Sequence, residues 1–96
     1  MDRPELRKTP ESRKQYLVWL SFERYEDLPQ KDRTLKYIAE HGSITPMEAI
    51  DLLGIMRLGA RIFELIEDSW PIISEPVTGK NRYGDDTRYA SYKMAA

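Results

Sequence analysis

Residues 43–65, SITPMEAIDLLGIMRLGARIFEL, constrain the chain more than any other stretch. Thr45 is followed by proline at the first helical position and by Glu48 three residues on, which is a capping box. The threonine hydroxyl can accept from the Glu48 amide while the glutamate reaches back. The spacing predicts a short helix from Pro46 that buries Ala49, Leu52 and Leu53 and stops at Gly54. A second amphipathic helix from about Met56 to Asp68 follows without a linker. Two helices joined through a glycine turn are the layout of a helix-turn-helix, whose second helix is offered to the major groove.

On a wheel of about 100° per residue, Ile55, Leu58, Ile62, Leu65 and Ile66 gather on the inward side of that second helix. Arg57, Ala60, Arg61 and Glu64 gather opposite them. Arg57 and Arg61 lie one turn apart, at a spacing that reaches phosphates or guanine edges. Ala60 permits close approach to a groove floor, and Glu64 either accepts from cytosine or holds Arg61. Read as structure alone, the same positions are a solvated face with an intrahelical ion pair.

The flanking sequence is assigned by its punctuation. Trp70-Pro71 closes the second helix. Residues 72–78 and 88–94 have strand composition, with Pro76 restricting the first to an edge or a bulge. Between them GKNRYGDDT, residues 79–87, reads as a polar hairpin loop, so the unit carries a wing. Lys80, Arg82 and Arg88 suit backbone contact, while Asp85 and Asp86 oppose it. Tyr83, Tyr89 and Tyr92 read as cross-strand packing, or as a platform for bases of a single strand.

Upstream, a helix is predicted from Gln30 to His41, burying Leu35, Ile38 and Ala39 and ending at Gly42. An earlier helix starts at Thr9-Pro10 and runs to about Tyr25, with Leu28-Pro29 breaking the chain. Its apolar residues surround the axis, which predicts burial on two sides. Tyr16, Trp19, Phe22 and Tyr25 are the candidate face for a second copy of the chain. The expected organisation is a flexible N-terminal tail (1–9), a helical extension (10–28) and a winged helix-turn-helix domain (29–96). The fold class is mainly α with a small β-hairpin.

Composition removes several function classes. The chain has 96 residues and no cysteine, so a thiolate metal site and a disulfide framework are both excluded. No catalytic set is legible, and neither a metal nor a cofactor is expected. The lone histidine, His41, falls at a helix C-terminus, where its charge favours the helix dipole. No apolar run is long enough to span a bilayer, and a cytoplasmic protein is expected. Net charge is −1, which does not favour strong nonspecific binding to DNA. Affinity for DNA would have to come from the placement of the cations, or from a homodimer that doubles them.

From Lys31 to Met94 the chain resembles the phage-associated winged helix-turn-helix family. The resemblance rests on HGSITPMEAIDLLG, on MRLGARIFELIEDSWPI and on the aromatic strand RYASYKM. It implies a winged-helix fold and double-stranded DNA as partner, in transcription regulation or as an accessory factor. Arg57 and Arg61 match the arginine positions of the family's recognition helix. Two features depart from the family: the longer, more acidic hairpin loop and the extra N-terminal helix. They open an alternative, a protein-binding module on the same frame, such as a phage inhibitor of a host defence complex of the anti-CRISPR type.

Overall fold

The structure, a computed structural model, describes residues 10–95. The tail expected over residues 1–9 and the Thr9 cap lie outside them. The elements run α1 (Pro10–Phe22), a 3-10 turn (Tyr25–Asp27), α2 (Gln30–His41), β1 (Ser43–Ile44), α3 (Pro46–Leu53), α4 (Leu58–Glu67), β2 (Ile72–Lys80) and β3 (Asp86–Met94). Four helices pack against a three-stranded antiparallel sheet of order β1-β3-β2.

α2 is the centre of the packing, with Asp32, Thr34, Leu35, Lys36, Tyr37 and Ile38 all buried. Its buried polar groups are held by specific partners. Lys36 Nζ donates to the Leu20 carbonyl at 2.9 Å, and Thr34 Oγ1 donates to the Gln30 carbonyl at 2.9 Å. Arg33 donates to the carbonyls of Leu28 and Leu53, bridging the entry of α2 to the end of α3. Such pairing removes the penalty that burial of an unmatched donor would carry.

α1 is part of this core rather than an appendage. Tyr16, Trp19 and Leu20 are buried in the same cluster as Leu35, Ile62, Leu65 and Trp70. The Tyr16 ring meets Trp19 at 5.3 Å edge-on and Trp70 at 5.8 Å, so the segment that leaves α4 is clamped onto α1. α1 ends at Phe22, short of the expected Tyr25. The Ser21 hydroxyl donates back to the Val18 carbonyl at 2.6 Å, a local bond that competes with the helical ladder.

Within one chain α1 is buried on one side. Tyr16 and Trp19 face the core, while Val18 and Phe22 are exposed, Phe22 at 74%. Three inward assignments are corrected, since Ala39, Leu52 and Ile66 are exposed. α3 has only eight residues, and Ala49 and Leu53, one turn apart, fill the space it covers. Ile55, in the turn that follows, is fully buried.

The sheet is larger than the predicted ribbon. β1 is two residues long and pairs Ser43 with Lys93 and Ile44 with Tyr92. Two residues carry no periodicity, which is why the sequence did not reveal this strand. The hairpin also zips two residues further than expected, with Gly79 opposite Thr87 and Lys80 opposite Asp86. Asn81 closes it: its side-chain oxygen accepts from the amides of Tyr83 at 2.9 Å and Asp85 at 3.0 Å. Pro76 lies in β2, an edge strand, where its missing N–H is tolerated.

Candidate nucleic-acid interface

The turn between α3 and α4 is built as its sequence requires. The Glu48 amide donates to Thr45 Oγ1 at 3.3 Å and the Thr45 amide donates to Glu48 Oε1 at 2.9 Å, completing the capping box. The Tyr37 hydroxyl donates to Glu48 Oε2 at 3.1 Å, which ties α3 to α2. Burial, then this bond to Glu48, raises the Tyr37 phenol above its ordinary pKa. Gly54 adopts φ 67°, a left-handed conformation that redirects the chain, and the Ile55 amide donates back to the Ala49 carbonyl at 2.9 Å.

α4 begins at Leu58, two residues later than predicted, so Arg57 is its N-cap rather than a helical residue. Leu58, Ile62 and Leu65 are the buried anchors, as the wheel implied. The far end closes by a left-handed Ser69 at φ 73°, with the Trp70 amide donating to the Leu65 carbonyl at 3.0 Å. Arg13 donates to the Ser69 carbonyl at 3.3 Å, fixing α4 to α1 at this point.

The two arginines differ in what they can offer. Arg57 is exposed, and its side chain makes no hydrogen bond or ion pair among the described residues. Arg61 is turned to the side: its side chain is only 29% exposed, and Nη1 donates to Gln30 Oε1 of α2 at 3.2 Å. Its Nε lies 2.5 Å from Glu64 Oε1, a close ion pair in which the N–H does not point at the oxygen. Arg61 and Glu64 therefore hold each other and the α2–α4 contact, and the expectation of two outward guanidinium groups is corrected to one. The outward ridge of α4 is instead Gly59, Ala60, Phe63, Ile66 and Glu67. Phe63 is 63% exposed, and Met56, just before the helix, is 76% exposed. The wheel already carried this signal, because Phe63 lies next to Ala60 on the outward side. Phenylalanine is ordinarily a core residue, and no side was assigned to it.

On the hairpin, even-numbered positions of both strands share the face that carries Tyr92 and Met94 to the core. Arg88 continues this face beyond the core, where its side chain is exposed and makes no hydrogen bond or ion pair among the described residues. Lys80 lies on the same face but is paired to Asp86 at 2.7 Å. Arg82 sits in the turn, exposed and likewise without a partner among the described residues. Tyr83 is exposed at the tip, Tyr89 is exposed on the opposite face of β3, and Tyr92 packs against the core. The three tyrosines do not form one platform, since their positions split between two faces and the turn.

The candidate dimer residues are also dispersed. Tyr16 and Trp19 are core residues, only Phe22 is freely exposed, and Tyr25 is half-buried with its hydroxyl donating to Glu40 at 2.5 Å. His41 stacks on Tyr37 with ring centres 4.3 Å apart at the end of α2. Among the described residues, no group of three or more His, Cys, Asp or Glu side chains could hold a metal ion. No helix among them is long and apolar enough to cross a membrane.

The model of the winged helix-turn-helix domain family matches residues 29–96. The chain belongs to that family. The match begins at Pro29, directly before α2, and takes in the capping box, the α3–α4 turn, β1 and the whole hairpin. α1 precedes it. The curated proteins and the solved structures hold no match to the chain. For a winged helix-turn-helix domain the fold suggests DNA as the partner, with α4 in the position of the recognition helix and β2–β3 as the wing.

Proposed function

We propose that the protein binds double-stranded DNA, with α4 at the major groove and the β2–β3 wing along the backbone. One observation carries this reading: on a winged helix-turn-helix frame, Arg57, Arg82 and Arg88 are exposed and committed to no internal partner. Arginines in this state contact phosphate without first losing an internal bond. Placement of cations thus matters more than the net charge of −1. Binding to random duplex should be measurable at low salt and fall steeply as salt is added. No shift of duplex at micromolar protein in low salt would defeat the reading. Within it, the chain acts as a phage or prophage transcriptional regulator or DNA-binding accessory, a role supported by the resemblance of residues 31–94. No catalytic step is assigned to any residue.

A second reading, a protein-binding module on the same frame, is favoured by the exposed apolar side chains Met47 and Leu52 on α3 and Met56 and Phe63 beside and on α4. In a phage setting its target would be a host protein such as a defence complex. The same low-salt titration separates the two, because this reading predicts no salt-sensitive shift.

A further inference from the structure

We infer that α4 recognises thymine through its C5-methyl group, by apolar contact from Phe63 and Ala60 in the middle of the helix. The inference rests on the duplex-binding reading above and names the base chemistry that this surface would select.

Hydrogen-bond readout needs free donors or acceptors on the outward ridge. On the ridge, Met56, Gly59, Ala60, Phe63 and Ile66 have none on their side chains, and the one carboxylate, Glu67, stands at the C-terminal end of the helix. The two polar side chains in the middle of the helix, Arg61 and Glu64, are paired to each other at 2.5 Å, and Arg61 also donates to Gln30. Turning Arg61 to a base would break the Gln30 contact that seats α4 on α2, and turning Glu64 would break its pairing with Arg61.

The charge along the helix sets which part enters the groove. Arg57, uncommitted, stands at its N-terminal end, where the helix dipole is also positive, and the first turn holds no acid. Glu64, Glu67 and Asp68 stand toward the other end. This polarity complements phosphate only at the N-terminal half, which brings Ala60 and Phe63 toward the base pairs. Gly59 and Ala60 add almost no bulk there, and nothing lies within 4 Å of a Cβ built on Gly59, so the helix axis can approach closely. In the major groove thymine alone among the four bases presents an apolar group, its methyl. Exposed Phe63 and Ala60 are complementary to that group and to no other base feature.

The test compares an alternating dA·dT duplex with the same duplex carrying deoxyuridine in place of thymidine, which lacks only the methyl. An alternating duplex presents methyl groups in every register, so no operator sequence is needed. The full chain is expected to bind the thymidine duplex more tightly, about fourfold for each methyl seated. Phe63→Ala, a substitution on the exposed ridge, should keep the parent's thermal melt but lose affinity for the thymidine duplex, shrinking the thymidine-to-deoxyuridine ratio by about that factor. Equal affinity of the parent for the two duplexes would overturn the inference and leave duplex binding standing. A preference that survives unchanged in Phe63→Ala would also overturn it, since groove shape and not methyl contact would then be responsible. Failure to bind either duplex at low salt would sink the duplex reading and this inference together, and would leave the ridge to a protein partner.

Discussion

The Tyr16 hydroxyl donates to Asp32 Oδ1 at 2.7 Å, joining α1 to α2 inside the core. Tyr16 is 2% exposed and Asp32 1%, so neither group exchanges this bond for water. α1 precedes the region matched by the family, yet through this bond and the Tyr16–Trp70 contact it belongs to the same packing unit.

Tyr16→Phe should therefore destabilise the whole domain, not merely loosen one helix. Losing one donor to a buried carboxylate costs about 1–3 kcal/mol. In a chain of this size that lowers the melting temperature by roughly 4–8 °C per kcal/mol. A single cooperative melt at lower temperature is expected by calorimetry. An unchanged melt would show that this bond contributes nothing to the domain.

Gly54 tests the helix-turn-helix turn. A Cβ built there meets nothing within 4 Å, so the penalty for Gly54→Ala comes from the backbone alone, at φ 67°. About 1–2 kcal/mol of destabilisation is expected by urea unfolding. Gly54→Asn should recover part of it, because asparagine tolerates the left-handed region better than alanine.

Arg57 and Arg61 should separate binding from stability. Arg57→Ala removes an exposed, unpaired guanidinium, so stability should stay within about 0.5 kcal/mol of the parent. Duplex affinity should fall, and if Arg57 neutralises one phosphate the slope of log K against log salt should flatten by about 0.9. Arg82→Ala and Arg88→Ala should behave in the same way. Arg61→Ala should instead lower stability by about 1 kcal/mol, through loss of the Gln30 and Glu64 contacts. The check is a denaturation curve beside a salt-dependent binding isotherm for each variant.

Stability should fall at both ends of the pH range. Burial first, and then the bond to Glu48, raises Tyr37 above the ordinary phenol value of 10.0. Burial and the bond to Glu40 raise Tyr25 as well. Both phenols ionise more easily in the unfolded chain, so their contribution is complete below pH 10.0 and is lost as pH rises through the folded-state values. Glu40 is held below the ordinary 4.5, chiefly by the Tyr25 hydroxyl. Its contribution is present above pH 4.5 and is lost as pH falls through the lowered value. Urea midpoints measured across pH should show both declines, and Tyr37→Phe should weaken the alkaline one.

The elements legible in the sequence were those set by local chemistry. Thr45 and Glu48 satisfy each other's backbone within one turn, Gly54 takes a conformation other residues resist, and Gln30–His41 ends at Gly42 as its periodicity and glycine required. Leu58, Ile62 and Leu65 follow the helical period, and they are buried whatever α4 packs against.

Tertiary structure decided what local chemistry leaves open. β1 exists only because Ile44 finds Tyr92 across the sheet. Tyr16 turned inward because Trp70 meets its ring and Asp32 its hydroxyl, and Trp19 packs beside it. Arg61 and Arg57 are the same residue type at helical spacing, but α2 places Gln30 within reach of Arg61 alone. A helix wheel gives the direction in which a side chain leaves its axis. It does not give the partner that meets it, and that partner separates the arginine holding the fold from the one left to the solvent.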